Sequence, residues 1–167
     1  MTRARNTAAY YTIMPSSNPE YELTPENEVM WDKFLSLRTD VNKALEFARM
    51  EKTVGKPLDA DVTLYVNGDA YDFVVNSEFG IRNSESGDVN KPERAEDFLR
   101  TIFIVSSVNI VKGEGDGYIG TEFPGVTVSI TPSAEPKCAR CWTHDKDVGK
   151  SAEHPELCPR CLAVIKR

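Results

Sequence analysis

The sequence predicts an α+β fold: a long N-terminal amphipathic helix, a small mixed α/β subdomain, and a C-terminal segment organised by cysteines. Three observations carry that expectation. Apolar residues recur every three or four positions from Met30 to Ala48, the period of a helix. Later stretches, Asp61 to Val66 and Val126 to Ile130, alternate with the period of a half-buried strand. All four cysteines fall in the last 30 of 167 residues, as two matched pairs.

Along the chain, residues 1–23 read as an irregular lead-in. Pro15, Pro19 and the Ser16-Ser17-Asn18 cluster break any periodic pattern. Residues 24–56 read as a helix. Thr24 is the expected N-cap and Pro25 the first helical residue, with Glu26 and Glu28 at the positive end of the dipole. Met30, Phe34, Leu37, Val41, Leu45 and Ala48 form its apolar stripe, and Asp32, Lys33, Asp40, Lys43, Arg49 and Lys52 its polar face. Gly55 and Pro57 supply the expected stop.

Residues 57–134 read as a small α+β subdomain. After the strand at 61–66, Gly68-Asp69 is a turn signal, and Tyr71 to Val75 is a strand or a short helix. Asn83 to Asn90 is a polar loop, and Lys91-Pro92-Glu93 opens a second helix running through Ala95, Phe98, Leu99 and Ile102. Phe103 to Val111 reads as a strand. Gly113 to Gly120 reads as a hairpin loop, because a phosphate-cradling loop needs a lysine and a following helix.

Residues 135–167 hold Cys138-Ala-Arg-Cys141 and Cys158-Pro-Arg-Cys161, separated by sixteen residues. Two residues between cysteines let one tight turn aim both sulfurs at one point, and two such knuckles complete a tetrahedron of thiolates around zinc. The predicted metal ligands are Cys138, Cys141, Cys158 and Cys161 on one structural Zn2+, since four thiolates leave no open position for a catalytic water. Disulfides are the alternative, disfavoured in a chain that reads as cytoplasmic, with no signal peptide and no further cysteine. His144 and His154 lie between the pairs and read as neighbours of the site rather than ligands.

Net charge is −6, but residues 135–167 carry seven Lys/Arg against five Asp/Glu, so that segment is +2 and the remainder −8. A basic ribbon on an acidic body meets phosphate only through a local patch. No apolar run reaches the ~20 residues of a membrane span. With both histidines in the ribbon and the cysteines committed to metal, no Ser-His-Asp set is available. No Walker loop, dinucleotide fingerprint or His-Glu-x-x-His helix occurs either. The chain reads as a binding module and not as a catalyst.

The run Lys137-Cys138-Ala139-Arg140-Cys141-Trp142, then Val148-Gly149, then His154-Pro155-Glu156-Leu157-Cys158-Pro159-Arg160-Cys161, resembles the terminal zinc finger of bacterial isoleucyl-tRNA synthetases. The same finger type occurs in bacterial DNA glycosylases that repair oxidised purines. The long helix, with Trp31, Leu37-Arg38, Val41-Asn42-Lys43-Ala44-Leu45-Glu46 and Ala48-Arg49, resembles the one preceding the synthetase C-terminal subdomain. The resemblance covers roughly residues 10–167. It implies a C-terminal piece lying downstream of the catalytic and editing domains, whose His-Ile-Gly-His-like and Lys-Met-Ser-Lys-Ser-like motifs are missing here. It also implies that ATP and Mg2+ are used elsewhere in the parent enzyme. The piece itself would hold the anticodon side of the isoleucine tRNA, beside the upstream domains of the same synthetase, and support aminoacylation.

The expected RNA-contacting residues are Lys137, Arg140, Trp142, Arg160, Lys166 and Arg167. Cations would meet phosphates and an indole would stack on an unpaired base. For Trp142 the alternative is packing in the ribbon core, and for Arg140 and Arg160 it is charge balance over a dianionic Zn(Cys)4 centre. Two other functional classes compete: an autonomous zinc-ribbon module for protein partners, and a nucleic-acid repair enzyme. The lead-in offers no nucleophile suited to the latter.

Overall fold

The computed structural model describes residues 18–19, 22–76 and 95–165. Nearly all of the lead-in, the polar loop at 83–90, the Lys91-Pro92-Glu93 helix start, Lys166 and Arg167 lie outside the described residues. The chain divides into two compact units, Met1–Asp32 and Lys33–Arg167.

Helix α1 spans Pro25–Met50. It starts where the capping residue predicts: Thr24 Oγ1 accepts the Asn27 N–H at 3.3 Å. It stops earlier than the Gly55-Pro57 signal suggests. Lys52 adopts φ 61°, the Thr53 N–H reaches back to the Ala48 carbonyl at 2.9 Å, and the Lys52 N–H reaches that of Arg49 at 3.0 Å. This paired closure satisfies the last carbonyls with a left-handed residue, a role glycine usually fills. Phe34, Leu37, Val41, Ala44, Leu45 and Ala48 are buried, as their spacing predicts. The amphipathic division is only partial, however: Leu35, Phe47 and Met50 are exposed, whereas Asp40 is fully buried.

Asp40 corrects its assignment to the polar face. Three residues after Leu37 and four before Ala44, it shares their face. Its carboxylate accepts three consecutive backbone N–H groups: Oδ1 takes Thr121 at 3.0 Å, and Oδ2 takes Glu122 at 3.0 Å and Phe123 at 2.7 Å. At Gly120 a Cβ would stand 2.8 Å from Asp40 Oδ2 and 2.5 Å from Val126 Cγ1, so only glycine lets this loop approach α1 so closely. At the rim, Lys43 pairs with Glu122 at 2.8 Å.

Strand β1 (Ala60–Val66) is central in a four-stranded mixed sheet of order β2-β1-β4-β3. It runs parallel to β2 (Ser107–Lys112), with Val62 opposite Val108 and Leu64 opposite Ile110. It runs antiparallel to β4 (Val126–Pro132), with Leu64 opposite Val128. Ala60, Val62, Leu64 and Val66 all point to the buried face, so strict alternation sets the register. A parallel neighbour requires a crossover, which includes α2 (Gly68–Asn76) and α3 (Ala95–Phe103). Phe34 packs against Phe73 of α2 and Phe98 of α3, with centroids at 4.8 and 5.3 Å.

The 71–75 segment is therefore a helix. The strand expected from Phe103 begins only at Ser107, because α3 continues through Phe103 and Ile104 turns at φ 59°. The Gly113–Gly120 loop contains the two-residue strand β3 (Tyr118–Ile119), paired with β4.

Replacing Asp40 with alanine leaves three N–H groups, that of Phe123 buried and the other two part-buried, without their acceptor. We predict a loss of roughly 3 kcal/mol or more, read as a lower urea midpoint with little change in slope. An unchanged midpoint would show that those amides find other partners.

Candidate metal centre and its surroundings

Two tight turns bring the cysteine pairs together. In the first, the Trp142 N–H donates to the Cys138 carbonyl at 3.0 Å and the Cys138 N–H to the Thr143 carbonyl at 2.9 Å. A bridge between Lys137 and His144 closes the turn at its base. The second leads into helix α4 (Pro159–Ile165), whose first residue is proline, the residue best suited to that position. The Ala139 N–H donates to the Glu156 carbonyl at 3.0 Å and ties one turn to the other.

The four sulfurs of Cys138, Cys141, Cys158 and Cys161 lie within 4.8 Å of one another. Thiolates about 2.3 Å from a shared ion stand roughly 3.8 Å apart along a tetrahedron's edge. The Cys141 and Cys158 sulfurs are 3.6 Å apart, so the donor set fits a tetrahedral thiophilic ion. All four cysteines are free thiols. Leu157 and Val148 wrap them in apolar surface, leaving Cys141 the most exposed.

The electrostatics favour a cation. At Cys141 burial opposes ionisation, but hydrogen bonds from the Thr143 hydroxyl and backbone pull the thiol down to about 6. At Cys158 burial, reinforced by the neighbouring Cys141 sulfur, pushes the thiol up to about 12. The Cys158 N–H also points at the Cys138 sulfur, at 3.4 Å. At Cys138, too, burial is outweighed by backbone hydrogen bonds that lower the thiol, and charge gathered on these sulfurs opposes ionisation of Cys158 unless a positive ion shares it.

The other sequence-predicted residues separate. Arg160 is exposed, yet its guanidinium hydrogen-bonds the Cys141 sulfur. Burial works against its charge, but that thiolate and its neighbours hold the pKa above the usual range. Lys137 turns toward the sheet and pairs with Asp59 at 2.5 Å. Arg140 is exposed and makes no side-chain hydrogen bond or ion pair among the described residues. Trp142 is 63% exposed at φ 65°, so the ribbon-core alternative does not hold. Neither histidine joins the sulfur group: His144 faces Asp59 and the Glu135 carbonyl, and His154 lies 3.8 Å from Glu156.

Sequence reasoning missed two residues beneath the ribbon. Ser106 is buried, and its hydroxyl accepts the His144 N–H at 2.7 Å while donating to the Leu58 carbonyl. Asp59 accepts from Lys137. That hydrogen bond, against the opposing effect of burial and with help from His144, holds the carboxyl below its ordinary 3.8. These partners lie 38 to 85 positions away in sequence, where no local pattern signals them.

Residues 135–164 match a family described as a zinc finger found in FPG and IleRS. Along nearly its whole length the chain is also similar to isoleucine–tRNA ligases. It is 33% identical over 167 residues to that of Geobacter sulfurreducens, covering 99% of this chain and 16% of the relative. It is 38% identical to those of Syntrophotalea carbinolica, over 83% of this chain and 13% of the relative, and Desulforamulus reducens, over 92% and 15%. The chain thus spans about a sixth of the length of the curated relatives it matches. Among the described residues no helix is long and apolar enough to cross a membrane.

Asp59 generates a pH prediction. Its folded pKa lies below the unfolded one, so its stabilisation is present above the ordinary 3.8 and disappears as pH falls through the folded value. The stability difference between the parent and Asp59→Asn should be present near neutral pH and close below that value. Thiolate protonation affects both proteins alike and cancels. A difference that persists at the acid end would show that the Asp59 charge is not what binds Lys137.

Proposed function

We propose, on the premise that this chain is homologous to the zinc-finger-bearing part of the isoleucine–tRNA ligases, that it binds the anticodon side of the isoleucine tRNA for a catalytic region outside this chain. In this reading Cys138, Cys141, Cys158 and Cys161 hold one structural Zn2+. The ion, when bound, neutralises the thiolates and fixes the two turns. The whole ligase would draw on ATP and Mg2+ elsewhere and act in the cytoplasm.

The observation that carries the RNA reading is the exposed indole of Trp142, held outward at a left-handed backbone position beside the exposed Arg140. A bulky residue in that region is strained, and strain maintained at an exposed aromatic is what a recognition surface shows. Trp142 would stack on an unpaired base, and Arg140 would meet a phosphate. Lys137 and Arg160 contribute less than their charge suggests, since Asp59 and the Cys141 sulfur already engage them. Lys166 and Arg167 keep the role the sequence suggests for them.

Phe47, Met50 and Ile119 are 53%, 76% and 73% exposed, and this apolar surface supports contact with the upstream domains of the same synthetase. A protein-interaction module with no tRNA role is the competing reading. It predicts no tRNA binding even at low salt.

Two measurements test the proposal. Stripping metal with a strong chelator should collapse the amide signals of residues 135–165 while those of β1, β2 and β4 stay dispersed, because the sheet has its own core. A ribbon spectrum indifferent to chelation would remove the metal from the structure. In filter-binding titrations, Trp142→Ala should weaken tRNA binding by ~1–3 kcal/mol. Arg140→Ala should lower the salt slope by about one unit. Parent-like affinity and slope in both variants would remove this surface from RNA recognition.

A further inference from the structure

Much of what attaches the ribbon to the sheet converges on one short turn, Pro57–Asp59, at the entrance to β1. The Leu58 carbonyl accepts the Ser106 hydroxyl. The Asp59 carboxylate accepts Lys137 Nζ, with His144 Nε2 at 3.3 Å from the same oxygen. The Asp59 carbonyl accepts the Ser133 N–H at 2.8 Å, and the Ala60 carbonyl accepts the Ser106 N–H at 3.1 Å. The Ser106 hydroxyl then accepts the His144 N–H, and His144 Nδ1 faces the Glu135 carbonyl.

We infer that Ser106 and Asp59 are positioning residues, which set the direction in which the first cysteine turn presents Arg140 and Trp142. The proposal rests on the RNA-binding reading above. Its basis is the placement of Trp142 between two anchors. On one side is Cys141, held within the sulfur cluster; on the other, two residues along, is His144, held by Ser106. The cluster alone makes the ribbon a rigid body, but leaves it free to swing about the 133–137 connection. The bonds to Ser106 and Asp59 remove that freedom. A buried hydroxyl that both donates and accepts is a directional joint, because moving either partner leaves a polar group without its bond. Lys137, which composition marks as an RNA contact, serves this joint instead.

The test uses the full 167-residue chain with zinc bound, as Ser106→Ala, as Asp59→Asn, and as Trp142→Ala for reference. Zinc per chain, isoleucine-tRNA affinity, and residual dipolar couplings of the ribbon amides relative to the sheet amides are measured well below melting. Ser106→Ala and Asp59→Asn should both keep zinc. Both should reorient or average the ribbon couplings against the sheet, and raise the tRNA dissociation constant about five- to tenfold, the equivalent of one hydrogen bond. A purely structural role would lower the melting temperature and leave couplings and affinity unchanged. Should Ser106→Ala fail to fold, Asp59→Asn, at a partly exposed position, carries the test. Parent-like affinity in the positioning variants, with weakened binding in Trp142→Ala, overturns the positioning role and spares the RNA reading. Parent-like affinity in all three sinks the RNA reading, and the dipolar couplings then decide the positioning role alone: unchanged couplings overturn it.

Discussion

Four sulfurs crowded within 4.8 Å can all ionise together only where a cation shares their charge, and the form of the ribbon turns on that constraint. The segment from Lys137 to Ile165 has no strand beyond the bridge at its base and one helix of seven residues. Its apolar partners, the buried Leu157 and the partly buried Val148, make too little core to order it. The convergence of four sulfurs at one point takes the place that hydrophobic burial holds elsewhere in the chain. The sheet differs in kind. It rests on Val62, Leu64, Val66, Val126 and Val128, and on Phe34 packed between helices.

These two regimes explain how the basic residues of the ribbon are distributed. Lys137 is drawn inward by the carboxylate of Asp59, and Arg160 by the sulfur cluster. Lys150 pairs with Asp147 within its own turn. Among the described residues Arg140 and Lys146 are left to face solvent without an ion pair. The modest positive balance of the segment is therefore partly consumed within the fold. Bulk charge is thus a weak feature of this surface beside its shape and its exposed indole.

What could be read in advance was what depends on neighbouring positions. The cysteine set was legible because a two-residue spacing is itself the geometry of a turn. The cap at Thr24, the stripe on α1 and the alternation of β1 were legible for the same reason. Three features were not. Asp40 was assigned by its polarity rather than by its helical phase, and the amides that satisfy it come from a loop some eighty residues later. The start of β2 was misplaced because β-branched residues fit either the end of α3 or a strand, and only the turn at Ile104 decides. Ser106 gives no signal, since a lone serine before a strand is ordinary until His144 is brought against it.

Folding and the outward display of a ring want different residues at position 142. Its backbone occupies a conformation that glycine adopts freely and that any side chain makes costlier by on the order of 1–2 kcal/mol. A chain selected for robustness alone would place hydrogen where this one holds an indole. The stability for that choice comes from the hydrogen-bonded turns on either side, whose closure permits a ring to be displayed at so unfavourable a corner.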